Sequence, residues 1–217
     1  MELTVGSMEL GKNRIEALSD GIFAIAMTLL VLELKVPELH ADASNVEVWP
    51  ALMKLWPVFI SYAASFASLG VYWVAHHNMY HAIRHSNRVL LCLNILFFMF
   101  VSFVPFATSV VNAFPQTQVA PVFFGANIAL IGWVLYAQWS YACSQPGMVG
   151  AQATEEYRNL VRSRFFWIPL ILSFTVLVCY WSVPISLGVY MVLLPFYLIP
   201  GKTRETAPAP RTAEANV

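Results

Sequence analysis

The stretch RIEALSDGIFAIAMTLLVLELKVP, residues 14–37, begins with charged and hydrogen-bonding residues and continues as an apolar run with a helical period. The polar part contains Arg14, Ser19 and Asp20, and the apolar part runs to Glu33 and Lys35. A carboxylate inside a membrane is costly unless it is paired, so such a residue marks a contact with protein or water. The stretch therefore predicts a membrane helix that lines a water-filled space.

Composition supports the same class of protein. Hydrophobic residues make up 59% of the 217 residues, charged residues make up 11%, and the mean hydropathy is +0.64. Soluble domains are far less apolar than this, so the chain is predicted to be an integral membrane protein. No basic block with interleaved aromatics occurs, which argues against nucleic acid as a partner.

Six stretches are long enough to cross a bilayer, which takes roughly 20 helical residues. They are approximately 14–36, 50–80, 88–112, 119–143, 163–182 and 184–199. Polar segments at 37–47 and 144–162 are predicted to be loops. We expect one all-α transmembrane domain over residues 1–200 and a disordered cytoplasmic tail over residues 201–217.

The lysines and arginines predict the orientation of the chain. With six spans, ten of the twelve fall on the side that holds both termini, and only Lys35 and Lys54 fall opposite. The ten are Lys12, Arg14, Arg84, Arg88, Arg158, Arg162, Arg164, Lys202, Arg204 and Arg211. Because positive loops stay inside, both termini are predicted to be cytoplasmic.

The first helix has two distinct faces when its residues are spaced about 100° apart. One face carries Ile25, Thr28, Leu29 and Leu32. Ser19 and Asp20 point away from it. The second helix is an antiparallel neighbour and ends in YWVAHHNMYHAIRH, where Trp73 and His77 share a face. We predict a buried polar network between the two helices made of Arg14, Ser19, Asp20, Trp73, His77 and Asn78.

These residues carry a family resemblance. The run R-x-x-x-L-S-D, from Arg14 to Asp20, resembles the R-x-x-x-F-S-D signature of the transmembrane protein 175 potassium channels. The run W-x-x-H-H-N, from Trp73 to Asn78, is similar to its partner on the second helix in that family. Leu18 stands where the family usually has Phe. The six-span plan extends the resemblance to about residue 200, and the single copy of the motif resembles the bacterial branch.

The resemblance implies a potassium-permeable channel in which the first helix of each of four identical subunits lines a central pore. Counting from the aspartate of the motif, it implies that Ile25, Leu29 and Leu32 form a hydrophobic constriction and that Thr28 forms a hydroxyl layer for selectivity. It implies a bacterial inner membrane location, lipid and monovalent cations as partners, K⁺ as the permeant ion and no cofactor. The sequence has no T-V-G-Y-G-like filter segment.

Other functions compete with this interpretation. Asp20 and His77 are residue types that relay protons in secondary transporters, which makes a proton-coupled transporter the alternative. The first-helix pattern is not repeated, whereas transporters often contain internal repeats. His77, His81 and His85 have a helical spacing that suits a metal, but no carboxylate joins them, and we expect no metal site. Nucleophile, base and oxyanion donor do not converge at a recognisable spacing, so an enzyme is not expected.

Overall fold

The computed structural model describes residues 12–178, and all of the regular structure in that range is helical apart from one isolated β-bridge. The helices are α1 (Lys12–Leu29), α2 (Asn45–Met53), α3 (Trp56–Ala82), α4 (Arg88–Ser102), α5 (Val104–Ala113), α6 (Val119–Ser144) and α7 (Glu155–Val178). A 3-10 turn, Leu30–Glu33, continues α1. The predicted sixth span, 184–199, and the predicted tail, 201–217, lie outside the described residues.

Five helical stretches among the described residues are long and apolar enough to cross a membrane. They are Asn13–Glu33, Trp56–Ala82, Arg88–Ala113, Val119–Ser144 and Glu155–Leu177. The third of these combines α4 and α5. Because backbone groups in hydrocarbon must be satisfied internally, helices of this length and composition define an all-α integral membrane protein.

The region predicted as the second span, 50–80, is divided in the structure. The short helix α2 ends at Met53, and α3 begins at Trp56 with Pro57 in its first turn, where the missing amide proton costs no hydrogen bond. Ser44 starts α2 inside the predicted loop: its N–H and its hydroxyl both donate to Glu47 Oε2, at 2.8 and 2.9 Å. These two hydrogen bonds lower the pKa of the exposed Glu47 carboxyl.

The third span is interrupted at Phe103, between α4 and α5. Pro105 lies in the first turn of α5 and has no amide proton to continue the ladder of α4. The Phe100 carbonyl accepts the Phe103 N–H at 3.3 Å and the Asn127 side-chain amide of α6 at 3.1 Å. A side chain of a neighbouring helix thus stabilises the break.

Helix α7 begins at Glu155, earlier than the predicted start at 163. Thr154 Oγ1 accepts the Tyr157 N–H at 3.2 Å, as an N-cap residue does. Glu155 and Glu156 occupy the first turn, where carboxylates oppose the positive end of the helix dipole. A capped polar turn therefore extends this helix through half of the segment that was predicted to be a loop.

Helix α6 is the centre of the packing, because it contacts α4, α5 and α7 and carries the longest series of buried residues. Ile128, Ile131, Leu135 and Trp139 are fully buried along it. Helix α1 packs on α3 and α4 at the edge of the bundle. This position leaves one side of α1 without cover from the other described residues, 12–178.

The loops after α3 and after α6 are joined at one end of the bundle. Ile83 and Val149 form an antiparallel bridge, in which the Arg84 N–H donates to the Met148 carbonyl at 2.8 Å. The Gly150 N–H donates to the Ala82 carbonyl at 2.9 Å. Ile83 and Val149 are both buried. The two loops are therefore fixed to each other by backbone hydrogen bonds.

The packing predicts unequal effects for two leucines of α6. Leu135 is 0% exposed and Leu130 is 42% exposed. Leu135→Ala leaves a cavity and is expected to cost about 3 kcal/mol, which lowers the thermal unfolding midpoint in detergent by roughly 6–12 °C. Leu130→Ala is the matched control and should shift it by about 2 °C or less. Equal shifts for the two variants would contradict the assigned packing of α6.

Candidate functional site on the first helix

Helix α1 and its 3-10 turn have one buried and one exposed face. The buried residues recur with the helical period and pack towards α3 and α4; they are Ile15, Ser19, Phe23, Ala26 and Leu30. On the other side Ile25 is 60% exposed, Leu29 is 44% exposed and Leu32 is 66% exposed. Thr28 is exposed on the same side. The structure thus places all four residues of the predicted pore face on the uncovered side of the helix.

The hydroxyl group of Thr28 is held by its own helix. Its Oγ1 lies 2.9 Å from the Ala24 carbonyl and 2.9 Å from the Ile25 carbonyl, so its proton is donated back to the backbone. A hydroxyl oxygen has two acceptor lone pairs in addition to its donor. With its proton directed at the helix, the Thr28 hydroxyl presents its lone pairs on the exposed side of α1.

The buried face of α1 is fixed by a hydrogen-bonded chain through three helices. Ser19 Oγ lies 3.2 Å from His76 Nδ1 on α3, and His76 Nε2 lies 2.9 Å from Asn94 Oδ1 on α4. An amide oxygen only accepts, so in the neutral ring Nε2 donates to Asn94 and Nδ1 accepts the Ser19 hydroxyl proton. All three residues are buried. This series of hydrogen bonds determines how α1 is rotated against α3 and α4.

Aromatic rings surround His76 within the same layer. The Tyr80 ring is stacked on it with centroids 4.4 Å apart, and the Phe97 ring is stacked at 4.9 Å. Phe23 of α1 contacts both His76 and Phe97 at 6.5 and 6.0 Å. The polar chain is therefore enclosed by packed rings, which keep lipid and water from competing for its hydrogen bonds.

A second contact between α1 and α3 lies nearer the surface. The Trp73 indole donates to Asp20 Oδ1 at 2.8 Å. The Trp73 ring also contacts the His77 ring, with centroids 5.9 Å apart. Asp20 and Trp73 are exposed in the single chain. A hydrogen bond to a carboxylate is stronger than one between neutral groups, so this pair adds to the fixation of α1.

The structure brings His76, and not His77, to Ser19. Buried residues of α3 recur at Tyr72, Ala75, His76, Met79 and Tyr80. His77 lies about 100° further round the helix and is exposed. Arg14 and Asn78, the other predicted members of the network, are also exposed. Of the predicted residues, Asp20 and Trp73 contact each other but are exposed in the single chain, and Ser19 bonds His76 instead of a predicted partner.

Sequence reasoning missed Asn94. It is a single amide in the apolar run VLLCLNILFFMF of the third span, and a lone polar residue in such a run signals a buried partner. His77, His81 and His85, at which no metal site is expected, are exposed side chains. Residues 12–178 contain no group of three or more His, Cys, Asp or Glu residues that could hold a metal ion.

The fold and these contacts define a polytopic α-helical membrane protein whose first helix is fixed on one side and exposed on the other. The family model described as endosomal/lysosomal potassium channel TMEM175 matches residues 14–105, which include both sequence motifs. A potassium channel of Chamaesiphon minutus is 32% identical over 189 residues, which cover 86% of this chain and 93% of that protein. The chain belongs to the TMEM175 family, which is a family of ion channels and not of enzymes.

A further relative and a solved structure agree with this membership. A potassium channel of Streptomyces collinus is 30% identical over 201 residues, which cover 89% of this chain and 96% of that protein. The crystal structure of a lysosomal potassium-selective channel TMEM175 homolog from Chamaesiphon minutus superimposes with a TM-score of 0.75 at 32% identity. The match covers 86% of this chain and 96% of that one. The predicted family and the all-α membrane fold are thereby confirmed.

The two adjacent histidines of α3 are predicted to differ in their effect on stability. His76→Phe removes the shared partner of Ser19 and Asn94, and an unsatisfied buried group costs about 1–3 kcal/mol. We expect this variant to lower the unfolding midpoint in detergent by several degrees, whereas the exposed His77→Phe should change stability by about 0.5 kcal/mol or less. Thermal unfolding of the two purified variants measures the difference. A larger loss of stability for His77→Phe than for His76→Phe would contradict the assignment of the network to the His76 face of α3.

Proposed function

We propose that this chain is the subunit of a potassium-permeable cation channel without a P-loop filter, in which α1 lines the pore. The single observation that carries the proposal is the exposed face of α1 described above, which lies opposite the residues fixed to α3 and α4. A membrane helix with a Thr hydroxyl among exposed Ile and Leu residues can face either lipid or a pore. Membership in a family of potassium channels favours the pore.

A single copy of α1 cannot enclose a pore, so the function requires several copies. We propose a homotetramer in which four copies of α1 surround the axis, as the family resemblance implies. Ile25, Leu29 and Leu32 would then form successive apolar rings, with the hydroxyl groups of Thr28 between them. The chain would lie in the bacterial inner membrane with both termini in the cytoplasm, which is the orientation that the distribution of Lys and Arg favours.

The chemistry of such rings sets the conduction mechanism. Side chains of Ile and Leu offer an ion no ligands, so a narrow ring excludes water and blocks flow, and a wider ring conducts hydrated ions. The Thr28 oxygens, with their protons held by the backbone, can replace part of a hydration shell. K⁺ is more weakly hydrated than Na⁺ and gives up its water more readily, which favours K⁺. Opening then consists of widening the Ile25 ring by tilt or rotation of α1.

A proton-coupled transporter is the second candidate function. It would use Asp20 and His77 as proton carriers. In the structure the two residues are connected through Trp73, whose indole donates to Asp20 and whose ring contacts His77. An indole N–H is a donor without an acceptor site, so Trp73 holds the carboxylate in place but does not pass a proton between the two groups. The contact therefore favours a structural role for Asp20.

Planar bilayer recordings test the assigned pore. Ile25→Asn puts a polar amide at the proposed constriction and is expected to raise K⁺ current at least about twofold, because the ring is then easier to hydrate. Ile95→Asn is the matched control, since Ile95 is 65% exposed but lies on α4 and not on α1, and its current should equal that of the original protein. Equal changes of K⁺ current in both variants would contradict a position of Ile25 in the pore. Saturable, proton-coupled flux without single-channel steps would instead identify a transporter.

The stoichiometry gives an independent prediction. Native mass spectrometry in detergent is expected to give a complex with four times the mass of the 24.3 kDa chain. A tetramer places each exposed α1 face against three identical faces around one axis. A monomer or dimer as the largest assembly would leave α1 without enough copies to enclose an ion path and would contradict the proposed pore.

A further inference from the structure

A groove between α6 and α7 carries two arginines at the end of the bundle where the joined loops lie. Tyr136 and Cys143 lie about two turns apart on α6, and Arg158 and Arg162 lie one turn apart on α7. The Tyr136 ring contacts Phe166, one turn after Arg162, and Arg158 donates to the loop that follows α6. Helix α6 contains no charged residue. The groove therefore concentrates positive charge that α6 does not neutralise.

One of the two guanidinium groups is held rigidly by the chain. Arg158 Nε donates to the Ala153 carbonyl at 2.9 Å, and its Nη2 donates to the Gly150 carbonyl at 3.3 Å. A guanidinium has five N–H donors, so three remain beyond these two bonds. Arg162 is exposed. A fixed charge next to an accessible one is a suitable arrangement for binding a phosphate by two-point contact.

Aromatic residues follow directly after the arginines. Trp133 and Tyr136 of α6 contact Phe166 of α7 with ring centroids 5.8 and 5.5 Å apart, and Trp167 contacts Phe166 at 5.4 Å. The Trp133 indole also donates to Ser173 Oγ at 3.0 Å. Aromatic residues of this kind favour the boundary between headgroups and hydrocarbon. The level of the rings marks this boundary on α6 and α7.

Beyond the aromatic residues, α7 carries apolar side chains that the other described residues do not cover. Leu170, Phe174 and Leu177 are exposed. Along α7 the surface thus changes from basic to aromatic to apolar, which is the order of chemistry across one leaflet of a phospholipid bilayer. The acidic residues of α7, Glu155 and Glu156, lie in its first turn, on the water side of both arginines. Between Tyr157 and Val178 the charges of α7 are all positive.

We propose that this groove binds the phosphodiester headgroup of an anionic phospholipid from the adjacent leaflet. The phosphate contacts Arg158 and Arg162, the Tyr136 phenol donates a hydrogen bond to a phosphate oxygen, and the acyl chains lie along the exposed apolar residues of α7. The charge of the groove selects an anionic lipid over a zwitterionic one. The site includes no residue of α1 and does not depend on what α1 conducts.

Native mass spectrometry with added lipid tests this site. The full-length protein is titrated with phosphatidylglycerol and, separately, with phosphatidylcholine of the same acyl chains. We expect tighter binding of phosphatidylglycerol, and Arg162→Gln should weaken it about fivefold, which is the effect of one basic residue at an anionic membrane surface. Arg162→Lys keeps the charge and should retain most of the affinity. Arg84→Gln, an exposed arginine of the loop after α3, is the matched control and should bind as the original protein does.

Two further experiments control for misfolding of the variant and for binding of free phosphate in place of lipid. If Arg162→Gln does not yield folded protein, Tyr136→Phe tests the same site with both arginines intact, and a loss of phosphatidylglycerol binding that Arg84→Gln does not share is again expected. Equal binding of the two lipids, or equal losses in the groove and control variants, would overturn the proposal. Displacement of the lipid by millimolar glycerol phosphate would also overturn it, because the groove would then recognise free phosphate without the acyl chains.

Discussion

The arrangement of the subunit depends on His76, which must satisfy two hydrogen-bonding helices at once inside a membrane. Its ring accepts from Ser19 of α1 and donates to Asn94 of α4, and packed aromatic rings shield both contacts. Hydrocarbon supplies no replacement partner, so rotating α1 by one residue would leave the Ser19 hydroxyl and His76 Nδ1 without their hydrogen bond. The exposed position of Ile25 and Thr28 follows from this constraint, because the opposite face of α1 is held against α3 by the Ser19–His76 hydrogen bond.

Much of this arrangement could be predicted from the sequence. Hydropathy and length locate five membrane helices of the described residues, and the 3.6-residue period separates the two faces of α1. The motif residues Ser19, Asp20 and Trp73 identify which helices meet. These features depend on local pattern, and local pattern is visible in a single chain.

Other features depend on contacts between distant residues and were not predictable in the same way. His76 and His77 are adjacent and equal in chemistry, and only the rotation of α3 decides which one is buried. The break at Phe103 is consistent with Pro105, but the amide that stabilises it comes from Asn127 on another helix. The early start of α7 rests on the cap by Thr154, a short-range signal that the polar composition of the segment concealed.

The contacts of Ser19 and Asp20 also have a consequence for biogenesis. Ser19 meets a residue 57 positions later in the chain, and Asp20 meets one 53 positions later. At about 5–20 residues per second, these partners are synthesised roughly 3–11 s after Ser19 and Asp20. During that interval a serine and a carboxylate lack their native hydrogen bonds, so insertion of α1 must be completed by the helices that follow it or be assisted by the insertion machinery.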